Sequence, residues 1–339
     1  MSMETPPTDA ASENASAEHV ASLRARINQA LPELVADAGP DVLYDPVRYV
    51  LDGGGKRLRP ILLLLSAEAF GVAPQRALPA ALAVEVFHNF TLVHDDIMDH
   101  ADERRGRPTV HLQWDADTAI LTGDMLMALS YDLLTQVDTP HLAKMLDVYH
   151  AMVERLCKGQ ALDKAFETQA ETSVEDYMRM IDCKTGALLE AAFEIGGLIG
   201  GVVPPQRTAL RKIGRRVGRA FQIQDDLLDL TADHARWGKQ VGGDLMEGKK
   251  TFLLLRALER AEGDDHAWFA RIVAEKGLPP DEIPEARERM RHLGIFDEAE
   301  AAVKEYTTGA RQQIDALPGE TAPIQTMHWL IDQMQARLH

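Results

Sequence analysis

The sequence predicts an all-α fold, one domain built as a bundle of roughly ten or more helices, from three observations. Apolar residues recur at helical spacing, as in Val20, Leu23, Ile27 and Leu31, and again in Leu210, Ile213, Val217, Phe221 and Leu228. Alternating β-branched runs closed by Asn-Gly or Asp-Gly turns, the mark of paired strands, are missing. Glycine and proline breakers recur along the chain and leave segments of helical length between them.

In chain order, residues 1 to 18 are polar and rich in Pro, Ser and Ala, and read as a disordered tail. The domain then runs from 19 to 339. Its helices are divided at Gly39-Pro40, Gly53-Gly54-Gly55, Gly71 to Pro74, Gly106 to Pro108 and Pro140. Further breaks fall at Gly200 to Pro205, Gly242-Gly243, Pro279-Pro280 and Pro318-Gly319. No composition shift marks an internal boundary, and no repeat of fixed period is present. Residues 279–339 read as closing helices, with Trp329 on an apolar stripe.

The chain has 339 residues, with 36 Lys+Arg against 53 Asp+Glu and a net charge of −17. Such acidity argues against nucleic acid or an anionic membrane as the main partner. The two cysteines, Cys157 and Cys183, are too few for a disulfide framework and are expected as core thiols. The N-terminus lacks a signal-peptide pattern, and the longest apolar run, Ile61 to Leu65, is far short of the ~20 residues that cross a bilayer. A cytoplasmic protein is the expectation.

The chemistry concentrates in two echoes, DDIMD at 95–99 and DDLLD at 225–229, each closing an apolar helical stretch. Residues four apart lie on one helix face, so Asp95 stacks with Asp99 and Asp225 with Asp229. Paired carboxylates repel unless a cation neutralises them, and oxygen-only ligands favour Mg²⁺, with Mn²⁺ as the other option. A solvated acidic helix end explains one such motif more readily than two. A di-iron bundle would need two Glu-x-x-His pairs, and only Glu85-Val-Phe-His88 lies near the motif.

Cations accompany these carboxylates. Arg104 and Arg105 follow the first motif, Lys56, Arg57 and Arg59 sit in a glycine-rich loop that opens a helix, Lys184-Thr185 lies mid-chain, and Lys239, Lys249 and Lys250 follow the second motif. Arginine forks and lysine point charges beside a divalent cation suit diphosphate oxygens. His88, seven residues before Asp95, sits two turns away on the same face, ~10 Å along the axis. The basic run Arg211 to Arg216 reads as a solvated helix face.

Taken together, VHDDIMDHADERRGRPTVH (93–111), GGGKRLRP (53–60), GQALD (159–163), KTGALLE (184–190), FQIQDDLLD (221–229) and GKQVGGDLMEGKKT (238–251) resemble the trans-prenyl diphosphate synthases. The resemblance implies a helical bundle around a deep central cavity, as a homodimer, and head-to-tail condensation of isopentenyl diphosphate with an allylic diphosphate. It implies that Asp95, Asp99 and Asp225 hold Mg²⁺. Asp96 and Asp229 complete the motifs in less direct roles, Asp229 within the metal set, and Asp226 counts among the catalytic aspartates. Lys56, Arg59, His88 and Arg105 match positions that bind isopentenyl diphosphate. Arg104, Lys184, Thr185, Gln222, Lys239 and Lys249 match those around the allylic diphosphate, and Arg104, Lys184 and Lys239 join the catalytic set.

Ionisation of the allylic C–O bond, attack by the isopentenyl double bond and loss of a proton need no Ser, Cys or His nucleophile. Phe90, five before the first aspartate, and Phe87 match positions at the cavity floor, which implies a C20 or C15 product. Ordinary core packing is the competing explanation of both rings. A class I terpene cyclase would carry a different second metal motif and no second diphosphate site. A non-catalytic subunit of a heteromeric synthase would tend to lose one aspartate motif or the basic loop.

Overall fold

In a computed structural model, which describes residues 10–169, 171–231 and 241–335, the chain is helical apart from one two-residue hairpin among the described residues. The elements are α1 (Ala10–Glu33), α2 (Asp41–Leu51), α3 (Leu58–Ala69), α4 (Pro74–Met98), β1 (Glu103–Arg104), β2 (Arg107–Pro108), α5 (Val110–Gln113) and α6 (Ala116–Thr135). Then follow α7 (Leu142–Phe166), α8 (Val174–Ile181), a π turn (Asp182–Gly186), α9 (Ala187–Ile199), α10 (Pro204–Thr231) and α11 (Gly243–Met246). The chain closes with α12 (Phe252–Arg260), α13 (Gly263–Glu275), α14 (Ile283–His292), α15 (Ile295–Asp315) and α16 (Thr321–Gln335). The helix α1 begins at Ala10, so the polar segment expected to be a tail to residue 18 is helical over 10–18. The earlier residues lie outside the described ones.

The contacts group the chain into two compact units. The first comprises Met1–Val148, Ala192–Leu210 and Leu317–Leu330. Its core is α3 and α4. Ile61 to Leu65 are all fully buried, which explains why that run is apolar on every face of its helix. Gly196 of α9 lies so close to α3 that a Cβ there would sit 2.4 Å from the Leu63 carbonyl oxygen. Beside it the Ser66 hydroxyl donates to the Phe193 carbonyl at 2.7 Å. The helix α4 buries small residues first, Ala77, Ala80, Ala81 and Ala83, and then Val84, Val86, Phe87 and Val93. The expected stripe Val20, Leu23, Ile27 and Leu31 on α1 is buried as its spacing requires.

The hairpin corrects the expectation of no strands. Glu103 pairs with Pro108 and Arg104 with Arg107, and the turn residues Arg105 (φ 56°) and Gly106 (φ 73°) both take left-handed backbone. Two consecutive positive φ values make the tight turn that matches strand twist, which is why a glycine stands at 106.

The second unit comprises Tyr149–Ala191, Arg211–Ala316 and Ile331–His339. Ile223, Leu227 and Leu230 of α10 pack there with Leu253 and Leu254 of α12, Phe269 and Ile272 of α13 and Met290 of α14. One expectation fails in this unit. Cys157 is exposed and Cys183 only half-buried, so neither is a core thiol. The basic run lies on the exposed face expected of it, with Arg211, Lys212 and Arg215 exposed, and Arg215 also reaches the buried Glu190 carboxylate at 2.9 Å. Among the described residues no helix is long and apolar enough to cross a membrane.

Candidate active site

In the first unit, Asp95, Asp96 and Asp99 end α4, the last as its C-cap, with its N–H donating to the Asp95 carbonyl at 2.8 Å. The three carboxylates are not equivalent. Asp96 is buried and accepts two bonds from Arg104, from Nε at 2.9 Å and Nη2 at 2.5 Å. Asp95 is half-buried and Asp99 exposed. Burial raises the Asp96 carboxyl above its usual range, against the opposing pull of Arg104.

The glycine-rich loop before α3 is fixed at one residue. Arg57 takes left-handed backbone (φ 52°) and turns inward. Its guanidinium donates to Glu85 at 2.6 Å and to Asn28 at 2.9 Å, and both charged side chains are almost fully buried. Lys56 and Arg59 flank it, Lys56 exposed and Arg59 half-buried. The Arg59 guanidinium lies 3.2 Å from His88 Nε2. Removal from water and then the charges of Arg59, Arg105, Arg104 and Arg57 hold the His88 imidazole well below its ordinary value of 6.5, so it is neutral and Nε2 accepts. Glu85 and His88 are thus each engaged by an arginine, which removes the di-iron option.

Arg105, on the hairpin turn, donates to the Gly54 carbonyl, and a Cβ on Gly55 (φ 131°) would sit 3.1 Å from its guanidinium. Glycine at 55 therefore answers both a backbone and a space requirement. Tyr49 anchors the hairpin: its hydroxyl donates to the Pro108 carbonyl at 2.7 Å, and its ring lies 3.7 Å beneath Arg107. A small cavity of about 40 Å³ opens here, lined by Asn89, Asp96, Arg104, Arg105 and Arg107 among others. Phe87 is fully buried against Phe90, which in turn meets the His94 ring at 4.8 Å.

In the second unit, Asp225 and Asp229 share a face of α10, and Asp226 turns inward between them. Asp226 is 3% exposed and accepts from the Tyr177 hydroxyl at 2.5 Å, the Gln222 amide at 3.1 Å and the Phe252 N–H at 3.2 Å. Burial nevertheless pushes its carboxyl up to about 6. Thr185 extends this chain by donating to Gln222 at 2.9 Å, and Lys184 pairs with Asp163 at 2.6 Å. Asp244 joins the carboxylates, its N–H donating to Asp229 at 3.2 Å. Removal from water and then the charges of Asp229 and Asp226 push its carboxyl up to about 8. Lys249 pairs with Glu247 at 2.7 Å and lies 3.8 Å from Asp244, whereas Lys250 is spent on the carbonyls of Phe166 and Gln169. Lys239 lies outside the described residues.

Asp225, Asp229 and Asp244 offer only oxygen donors, the kind a hard divalent cation takes, but among the described residues no three such side chains converge into a metal-binding cluster. Asp244 and Tyr177 were not among the residues singled out from the sequence. Asp244 lies within the quoted GKQVGGDLMEGKKT run, fifteen residues after Asp229. Tyr177 carried no signal, because only the fold brings it to Asp226.

Residues 40–290 match the family described as polyprenyl synthetase. The chain belongs to that family. It is 38% identical to a geranylgeranyl diphosphate synthase of Methanosarcina mazei over 91% of its own length and 94% of that relative. It is also 38% identical to a geranylfarnesyl diphosphate synthase of Natronomonas pharaonis, over 91% and 95%. A crystal structure of geranylgeranyl pyrophosphate synthetase from Pyrococcus horikoshii superposes with a TM-score of 0.87 at 37% identity, covering 94% of this chain and 98% of that one. The expected family, its short-chain type and the all-α fold are therefore met, and this polyprenyl synthetase is an enzyme of prenyl transfer.

Proposed function

We propose that this chain condenses isopentenyl diphosphate head-to-tail with allylic diphosphates in the presence of Mg²⁺, stopping at geranylgeranyl (C20) or farnesyl (C15) diphosphate. The observation that carries the reading is the shared build of the two aspartate motifs: one inner carboxylate is buried and held by protein donors, and the two outer ones are more exposed. Asp95 and Asp99, and Asp225 with Asp229 and Asp244, hold the divalent cations. Bound there, Mg²⁺ neutralises the departing diphosphate. Mn²⁺ has the same ligand preference.

Arg104, Lys184, Thr185, Gln222, Lys239 and Lys249 bind and orient the allylic diphosphate, and Lys56, Arg59, His88 and Arg105 the isopentenyl one. Neutral His88 accepts from Arg59 and orients it, and the released diphosphate is the base that the family resemblance implies. Apolar helix faces exclude water from the allylic cation, which would otherwise be quenched. Phe90, with Phe87 behind it, closes the space for the growing chain.

The whole of residues 19–339 acts as one catalytic domain in the cytoplasm. The exposed apolar side chains Leu112 of α5, Trp114 just after it, and Ile120 and Leu121 of α6 support a homodimer through this part of the chain. The decisive experiment incubates the protein with isopentenyl diphosphate, Mg²⁺ and C5, C10 or C15 allylic diphosphates in turn. Elongated prenyl diphosphate ending at C20 or C15 is expected. No elongation from any starter would overturn the reading, and cyclised hydrocarbon would favour a terpene cyclase.

A further inference from the structure

Lys184 and Thr185 stand on the π turn Asp182–Gly186. Such a turn inserts an extra residue into a helix and persists where its surroundings hold it, frequently at functional sites. Here they do so from two directions. Gly159 of α7 lets the turn approach: a Cβ there would fall 2.4 Å from the Lys184 backbone nitrogen. Gly218 of α10 does the same opposite Gly186, where a Cβ would lie 2.9 Å from the Gly186 Cα.

An ion network then fastens the turn's first residue. Arg219 forks onto Asp182, Nε to Oδ1 at 2.7 Å and Nη2 to Oδ2 at 2.6 Å. Arg155 donates to the Asp182 carbonyl at 2.8 Å and forks onto the buried Glu190 at 2.9 Å through both terminal nitrogens. Arg215 makes a second fork onto Glu190. Planar forks of this kind fix orientation as well as charge, which a lysine cannot do. On their own side, Lys184 and Thr185 meet Asp163 and Gln222, so the ion network and the ligand-binding groups share one short piece of backbone.

We infer that Arg219 is a positioning residue for allylic-diphosphate binding: by forking onto Asp182 it holds the π turn that presents Lys184 and Thr185. Arg155, Glu190 and Arg215 brace the same turn. The inference rests on the proposed role of Lys184 and Thr185. Arg219 also meets the Tyr306 hydroxyl at 3.5 Å, and the inferred effect on the ligand-binding groups is carried by the backbone between 182 and 185.

The test measures steady-state kinetics for Arg219→Gln, Arg219→Lys, Asp182→Asn and the exchanged pair Arg219→Asp with Asp182→Arg, each checked for folding by circular dichroism. Lys184→Ala is the reference. Arg219→Gln and Asp182→Asn are each expected to raise KM for the allylic diphosphate about tenfold while KM for isopentenyl diphosphate stays within about twofold. The exchanged pair regains part of the loss, and Arg219→Lys falls between. A general loss of folding would lower kcat through loss of active enzyme and leave both KM values unchanged. Equal rises in both, or an unchanged allylic KM beside a raised one in Lys184→Ala, would overturn the positioning role alone. An unchanged allylic KM in Lys184→Ala would overturn the role of Lys184 as well. Should Arg219→Gln fail to fold, Arg219→Lys and Asp182→Asn carry the same comparison.

Discussion

Glu85→Gln should damage this protein more than any exposed charge substitution, and the structure sets the scale. The Arg57–Glu85 pair is 2.6 Å long, with side chains 2% and 3% exposed. Removing one member strands a charge with no water to solvate it, a loss of about 3–5 kcal/mol. Arg57 keeps its bonds to Asn28 and to the Leu51 carbonyl, which places the expected loss nearer ~3 kcal/mol than the upper end. Replacing both partners, Arg57→Leu with Glu85→Leu, removes the stranded charge and should recover most of that stability. It should not recover function, because Arg57 fixes the loop that carries Lys56 and Arg59. Urea unfolding followed by circular dichroism gives the stability, and KM for isopentenyl diphosphate gives the loop. A loss below about 1 kcal/mol in Glu85→Gln, typical of an exposed pair, would refute the reasoning. So would a double variant with unchanged isopentenyl KM.

Four further outcomes follow from the same geometry. Phe90→Ala should shift the product to longer prenyl chains on thin-layer or mass analysis, and an unchanged distribution removes Phe90 as the floor. Asp225→Asn, which strips an outer carboxylate, should lower kcat by about 10²–10³-fold with little change in the unfolding midpoint; Asp226→Asn, which disturbs a buried acceptor of three bonds, should lower that midpoint measurably. Neutral, half-buried His88 takes up a proton on unfolding below its ordinary value of 6.5, so the unfolded state binds more protons there and stability falls as pH falls from about 6.5. His88→Gln should flatten that part of the urea-midpoint profile, whose slope from one such group is at most about 1.4 kcal/mol per pH unit. Leu121→Asp should move the protein to a smaller species in size-exclusion chromatography if α6 is the self-association face.

The fold was largely legible, because burial in a helical protein leaves a periodic trace: the stripe of α1 and, apart from half-buried Phe221, that of α10 are buried where their spacing says. What periodicity does not carry is a side chain's partner. Arg57 and Arg59 look alike in the glycine-rich run, yet one is sealed against Glu85 and the other meets His88, a difference set by one left-handed residue. Arg215 shows the same limit: it is the surface charge its spacing predicts, but its partner Glu190 is brought near by Gly214, where a Cβ would fall 2.6 Å from the Glu190 Cα. The π turn was invisible for a related reason. Its extra residue has no composition of its own and follows from glycines at 159 and 218, far away in sequence.

The inner aspartates are the opposite case, legible but easily passed over. At 100° per residue, Asp99 lies about 40° around the helix from Asp95, while Asp96 lies about 100° from Asp95. That turn carries Asp96 toward the side of Asn89 and Val93, both buried, and in α10 it carries Asp226 between Ile223 and Leu230. A carboxylate on a core stripe must be satisfied by protein donors, and Arg104 does this in one motif, while Tyr177, Gln222 and the Phe252 N–H do it in the other. Each inner aspartate therefore resists rotation of its own helix, and that resistance fixes the direction of the outer pair. The doubled aspartate then has a division of labour under the proposed function, one carboxylate setting the angle and its neighbours offered to a cation, and the chain's acidity at these two helix ends is as much a matter of orientation as of charge.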